Sequence, residues 1–219
     1  MEQYLEKLSR CPLFEGIHPQ NLLIVLNCLG ARVERFTKKQ TIFSEGTPAR
    51  QIGILLSGSA QIVQNDYYGN RSLIDEVIVG EAFGEAFACA GMTALPVTIL
   101  AHDPCEVLLL ESEHVLHTCD TSCIHHRRLI FNLMKVLATK TILVHQRIEI
   151  TSKRTTREKL LTYLALQAKR NASNSFRIPF DRQELADYLE VDRSGLSSEI
   201  GKLRREGILL SQKNHFTLL

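Results

Sequence analysis

The chain has no run of apolar residues approaching the ~20 that a membrane span requires. Its hydrophobic content of 44% and charged content of 23% are ordinary for a soluble globular protein. The N-terminal stretch MEQYLEKLSRC is charged and amphipathic, unlike a secretory signal, so the expected compartment is the cytoplasm. Six cysteines, Cys11, Cys28, Cys89, Cys105, Cys119 and Cys123, include no C-x2-C pair, which argues against a zinc ribbon or finger. In a cytosolic chain they are expected to be reduced thiols, several of them buried. There is no G-x-S-x-G, no P-loop and no other nucleophile motif. Residues 32–110 hold one histidine, His102, so a barrel-borne metal site of clustered histidines and carboxylates cannot be assembled there. No catalytic activity is expected, and no internal repeat or low-complexity segment is present.

Net charge is only +2 over 219 residues, but it is unevenly spread. Residues 152–219 hold 13 Lys/Arg against 8 Asp/Glu, a net of +5, and residues 1–151 hold 13 against 16, a net of −3. A basic C-terminal third beside an acidic remainder suits a module that approaches phosphate.

The segment Asp181–Leu209 carries the most information. It reads as two short amphipathic helices joined by a tight turn, the build of a DNA-reading helix-turn-helix. Asp181 is the expected N-cap, with Glu184 completing a capping box. Leu185, Ala186 and Leu189 give the first helix a buried stripe. Glu190-Val191-Asp192 is the turn, with Asp192 capping the second helix. That helix, Asp192–Glu206, buries Leu196, Ile200 and Leu203 at i, i+4 and i+7, and Gly207 stops it. Opposite this stripe lie Ser194, Ser198, Gly201, Lys202 and Arg205, with Arg193 and Ser197 at the edge. The face is small, polar and cationic, as a major groove requires. Leu209–Gln212 and His215–Leu218 alternate around Lys213-Asn214 as a terminal β-hairpin, and Phe176–Phe180 reads as a further strand. Helices flanked by such strands make a winged helix.

Upstream, residues 1 to about 28 read as short helices. Between Arg32 and Leu110 short β-rich runs recur (Ile52–Leu56, Ala60–Val63, Ser72–Val79, Val97–Ala101, Glu106–Leu110), separated by glycines. That pattern indicates an antiparallel barrel or sandwich. A long helix follows, from about Ile124 to Glu149. Ile130, Leu133, Leu137, Thr141, Val144 and Ile148 form a near-heptad seam, and Phe131, Met134, Ala138 and Ile142 form a second apolar face. A helix apolar on two sides must be covered on both. With no intramolecular mate in the sequence, the expectation is a parallel homodimer. Ser152–Arg154 is a polar hinge, the helix Thr156–Lys169 leads into the reading hairpin, and Arg170–Ser175 is a polar loop. The expected fold class is α+β in two domains: residues 1–123 as an antiparallel, jelly-roll-like β-roll, 124–150 as the dimerisation helix, and 151–219 as the winged helix-turn-helix.

These pieces resemble the Crp/Fnr family of bacterial transcription regulators over nearly the whole chain. The resemblance rests on Ile42-Phe43-Ser44-Glu45-Gly46, the Ile54 to Gly58 turn, Gly80-Glu81-Ala82-Phe83-Gly84-Glu85, Arg157-Glu158-Lys159-Leu160-Leu161 and Arg182-Gln183-Glu184-Leu185-Ala186. It implies that Arg182 and Gln183 hold phosphates at the start of the hairpin, fixing register. It also implies that Arg193 and Ser194 reach base edges, Arg193 by a bidentate contact to guanine. Ser198 stands where many relatives carry a second base-reading arginine, so the operator of the best-known members is not implied. The resemblance further implies that Lys202 meets backbone phosphate. In activating relatives the loop matching Arg170–Ser175 touches RNA polymerase.

The resemblance also bears on the sensor. Cyclic-AMP-binding relatives follow the Gly-Glu turn with an Arg-Ser pair that grips the cyclic phosphate. Here Phe83, Gly84 and Glu85 are in place, but the pair falls on Leu95-Pro96, ahead of Val97. Leucine offers phosphate no charge and proline no amide donor, so cyclic AMP is not the expected ligand. Lys140 and Thr141 align where relatives reach from the long helix toward the base. Lys140 pairs with an anionic effector, pairs with Glu85 or extends to water; the sequence leaves these open, as it leaves open a pocket filled by its own side chains. A second sensor reading is metal, haem or thiol chemistry at His114, His117, Cys119, Cys123, His125 and His126, which crowd thirteen residues. A third is a regulator active without any ligand. No metal ligand set is assigned.

Overall fold

The computed structural model describes residues 2–65, 71–116 and 124–219. The chain forms two compact units, Met1–Thr139 and Lys140–Leu219, with the division inside the long helix.

The first unit opens with short helical turns, α1 (Leu5–Ser9) and α2 (Pro19–Cys28). Among the described residues eight strands follow: β1 (Arg32–Phe36), β2 (Thr41–Phe43), β3 (Gln51–Ser57), β4 (Ala60–Asn65), β5 (Arg71–Val77), β6 (Ala82–Phe83), β7 (Thr98–Ala101) and β8 (Cys105–Glu111). A one-turn helix α3 (Glu85–Cys89) lies between β6 and β7, α4 (Ser112–Leu116) follows β8, and α5 runs from Ile124 to Thr151. The strands form two four-stranded sheets of antiparallel pairs, ordered β1-β8-β3-β6 and β2-β7-β4-β5. This is the expected β-rich N-terminal fold.

Strand periodicity explains how the core is divided. Leu55 of β3 with Val107 and Leu109 of β8 joins Phe36, Ala60, Val77, Phe83, Ile99 and Ala101 in one cluster drawn from both sheets. The alternate residues Ile52, Ile54 and Leu56, with Leu108 and Leu110, join a second cluster with Leu8, Leu22 and Leu26 of the N-terminal helices and Leu129 and Leu133 of α5. Strands buried on both faces read as continuous apolar runs, which is why β3 and β8 stand out in the sequence. β1 and β2 do not, because their burial is slight: one of five residues in β1 is buried and none of three in β2.

The long helix is covered unevenly. Leu129 and Leu133 are buried and Leu137 packs beside them. Further along the helix, Val144 and Ile148 of the seam are each 56% exposed, as are Met134 and Ile142 of the second face.

In the second unit the helix ends at Thr151, and residues 152–155 break it before α6 (Thr156–Asn171). Thr155 caps α6 in a reciprocal box with Glu158. β9 (Ser175–Arg177), α7 (Arg182–Leu189), α8 (Arg193–Arg205), β10 (Leu209–Gln212) and β11 (His215–Leu218) complete the unit, with a sheet ordered β10-β11-β9. β10 and β11 pair as a hairpin, Leu209 opposite Leu218 and Gln212 opposite His215. Ile150, Leu160, Leu164, Leu185, Leu189, Leu196, Ile200, Leu203, Leu209 and Phe216 share one core. Among the described residues no helix is long and apolar enough to cross a membrane.

Candidate nucleic-acid interface and sensor cavity

The α7–turn–α8 hairpin is built by local capping. The Asp181 carboxylate accepts from the Gln183 and Glu184 amides at 2.7 and 2.9 Å, and Glu184 accepts in return from the Asp181 amide at 2.6 Å. Three backbone donors at the start of α7 are thus satisfied together. Glu190 closes α7 in the left-handed region (φ 52°), and its peptide turns the chain. Asp192 then accepts from the Gly195 amide at 2.8 Å and from the Ser194 hydroxyl. These two donors, the hydroxyl first, hold the Asp192 carboxyl below the usual carboxylate range. Leu196, Ile200 and Leu203 are all buried, so the remaining side of α8 is fixed in direction.

That side carries Arg193, Ser194, Ser197, Ser198, Lys202 and Arg205, every one exposed. The space above Gly201 is open except for the Arg205 guanidinium 3.6 Å from where a Cβ would stand. Among the described residues Arg193 and Arg205 have no carboxylate partner, so their charge is available. Lys202 is tied to Glu199 at 3.3 Å. At the start of α7, Gln183 is exposed and its amide donates to Asp187 at 2.8 Å.

Arg182 is placed differently from its neighbours. Half-buried, it lies over the Phe216 ring (5.6 Å to the centroid) and donates to the Lys213 carbonyl at 3.3 Å, both in the wing hairpin. Burial holds its guanidinium below its ordinary pKa, and its Nη1 is buried without a partner. Arg182 therefore roots the wing on α7.

Three supporting residues escaped the sequence reading. Lys159 donates to the Leu189 and Glu190 carbonyls at 3.1 and 3.3 Å, satisfying orphan acceptors at the end of α7. Arg157 grips Glu206 with two bonds (2.6 and 3.1 Å) and reaches Glu199 at 3.4 Å, tying the start of α6 to α8. The Arg157 bond pushes the Glu206 carboxyl down. Arg147 of α5 lies over the Tyr188 ring at 5.8 Å and 3.9 Å from Glu190. Lys159 and Arg157 stand in the Arg157-Glu158-Lys159 motif, but only the folded chain shows what they hold. The expected loop Arg170–Ser175 is shorter than predicted. α6 continues through Asn171, where Arg170 bonds Gln146, and β9 begins at Ser175, leaving the exposed turn 172–174 with Ala172 in the left-handed region (φ 47°).

In the first unit a cavity of about 590 Å³ is lined by β2, the segment Thr47–Gln51, Gly84 and Leu95. Of the expected effector residues, Gly84 and Leu95 line it. Phe83 is buried behind it, its ring so close to Gly53 that a Cβ there would stand 2.2 Å away. Gly84 (φ 77°) starts α3, and a Cβ on it would meet Phe43 at 2.9 Å. Glu85 is buried, as is Val97, and Pro96 is half-buried. Lys140 and Thr141 belong to the other unit. In the His/Cys cluster, His126 is buried with Nε2 at 2.6 Å from the His114 carbonyl oxygen. His117, Cys119 and Cys123 lie outside the described residues. Among the described ones no group of three or more metal-ligating side chains is assembled.

Comparison with known proteins matches both units. Residues 33–122 match the cyclic nucleotide-binding domain family, and residues 158–219 match the Crp-like helix-turn-helix domain family. The chain is 24% identical to the transcriptional activator protein FnrL of Cereibacter sphaeroides, covering 80% of this chain and 72% of that one. Its fold is similar to that of DNR from Pseudomonas aeruginosa (TM-score 0.53, 20% identity, 100% of this chain and 95% of that one). It is also similar to the c-di-GMP responsive global regulator CLP of Xanthomonas campestris (TM-score 0.55, 18% identity, 89% and 97%).

Proposed function

Because the chain belongs to the Crp/Fnr family of DNA-binding transcription regulators and is not an enzyme, we propose that it acts as a homodimer reading a palindromic operator, gated by a small molecule held in the β-domain. The observation that carries the dimer is the uncovered face of α5. Ile124, Phe131, Met134, Ile142, Val144 and Ile148 are each more than half exposed. Ile124 and Phe131, and Met134 and Ile148, are spaced by whole heptads, so a second copy of the same helix laid parallel covers both sets. Two reading hairpins related by a two-fold axis then address half-sites one turn apart, about 34 Å.

In this reading Arg193 and Ser194 reach base edges, with Ser197 and Ser198 lining the groove. Gln183, Lys202 and Arg205 meet phosphates, while Arg182 acts from the wing root. The turn 172–174 is free to face RNA polymerase where promoter geometry brings the two together. Division of labour is proposed between 1–123 as sensor, 124–150 as dimerisation helix and 151–219 as reader.

Selection of sites from a random duplex library, with reduced and effector-free protein at fixed moderate salt, tests this. The expected product is a palindrome, in which Arg193→Ala relaxes one position per half-site by about 1–3 kcal/mol of discrimination. Met134→Glu should give a monomer by sedimentation and lose the palindrome. Recovery of a lone half-site by the unaltered protein would overturn the dimer.

A further inference from the structure

The 590 Å³ cavity in the first unit has a cationic group that its own fold does not use. Arg50 lines it, is exposed, and forms no side-chain hydrogen bond or ion pair with any described residue. Two other arginines of the β-domain are committed: Arg32 to Glu34 and Glu111, and Arg35 to Glu106. The same cavity contains one carboxylate, Glu111, which pairs with Arg32 at 2.7 Å, a guanidinium it shares with Glu34, and accepts from the Gln51 amide at 2.9 Å. Arg50 is therefore the charged group of this lining that has no partner of opposite charge among the described residues. Its wall adds the hydroxyls of Thr41 and Ser44, which have no partner among the described residues, and the apolar surfaces of Phe43 and buried Leu95.

Arg50 also lines a neighbouring cavity of about 690 Å³, whose other walls include Glu113 and His114 as well as Glu111. That second space brings an additional exposed carboxylate, Glu113, and so is the poorer host for an anion. The first cavity has the size of a small-molecule site, and its wall is shared about equally between polar side chains and apolar surface such as that of Phe43 and Leu95. A guanidinium matches a planar carboxylate or a phosphate through paired N–H donors.

We propose that this cavity binds a small organic anion whose carboxylate or phosphate meets Arg50 and whose apolar part lies against Phe43 and Leu95. The proposal rests on the reading that the β-domain holds the effector, and it names that effector's chemical class.

The test is a titration of the full-length protein with benzoate and with phenyl phosphate, followed by NMR and calorimetry, with benzyl alcohol as the neutral shape control. Saturable binding of either anion is expected, perturbing signals of Phe43, Thr47 and Leu95. Benzyl alcohol and the Arg50→Gln protein should each bind at least tenfold more weakly, and Arg50→Lys should fall between. The stronger of the two anions identifies the headgroup. Absence of saturable binding by both anions, or equal binding by Arg50→Gln, overturns the site. Operator affinity with and without saturating anion is read separately. Binding without a change in operator affinity keeps the site and removes its role as the gate. A change produced by a cell-extract metabolite while neither anion binds keeps the gate and removes the site.

Discussion

The reading hairpin and the β-domain reach their shapes by opposite routes. In the hairpin, the decisive bonds link residues two or three apart, Asp181 to Gln183 and Glu184, and Asp192 to Ser194 and Gly195. In the β-domain the decisive pairings span the chain. Arg32 stands opposite Leu109, and Gln51 opposite Glu111. Their charges differ in the same sense. Arg32 and Arg35 are absorbed by cross-strand carboxylates, whereas Arg193 and Arg205 are left to solvent. A region made by local capping leaves its outer face free to meet a ligand. A region made by long-range pairing commits its strand arginines Arg32 and Arg35 to its own construction, and Arg50, left without such a partner, marks where to look for binding.

The largest effect that would break this contrast is loss of the core beneath the hairpin. Leu196 is fully buried in the C-terminal core, and Leu196→Ala should cost about 2–5 kcal/mol, the usual range for a truncated core leucine. Hydrogen exchange should accelerate across α7, α8 and the wing, with β3 and β8 keeping their protection. Equal acceleration in both regions would mean that the hairpin's stability is not local.

A smaller effect separates the two cations of the reader. Lys202→Ala should lower the slope of log affinity against log salt by about 0.9, the loss of one phosphate contact. Arg182→Gln should lower it by less while weakening all sequences alike, because its guanidinium is engaged with Phe216 and the Lys213 carbonyl. An equal fall in slope for both would make Arg182 a plain phosphate ligand.

The smallest effect lies in the caps. The folded Asp192 carboxyl is depressed by the Ser194 hydroxyl and the Gly195 amide, so its contribution is present above the unfolded value near about 4. It is lost as pH falls through the depressed folded value. Asp192→Asn keeps an oxygen acceptor for the cap and should flatten part of the acid limb of a melting series. Glu158 and Glu206, also depressed, should retain the rest. An unchanged acid limb would remove Asp192 from the account.

Both helices of the reader, their caps, the stop at Gly207 (φ 72°) and the wing hairpin were legible in the sequence, because each depends on side chains within a few residues. The doubly buried strands β3 and β8 were legible as apolar runs. β1, β2, β6 and α3 were not, since they are short and owe their conformation to partners far along the chain. The same holds for single residues. Arg182 was expected to hold phosphate and Lys159 stood only within a motif, and packing shows one seated on the wing and the other closing α7.

What the sequence by itself determined is therefore the reader: a capped helix pair with a small cationic face, set by periodicities of 3.6 and 2 and by the chemistry of Asp, Gly and Ser at helix ends. What the tertiary structure decided is which polar groups remain unspent. The pairing of Glu111 with Arg32 across 79 residues, and the isolation of Arg50 on the same cavity wall, follow from strand register. Register is a property of the assembled sheet, because each strand's position depends on partners that lie far away in the chain.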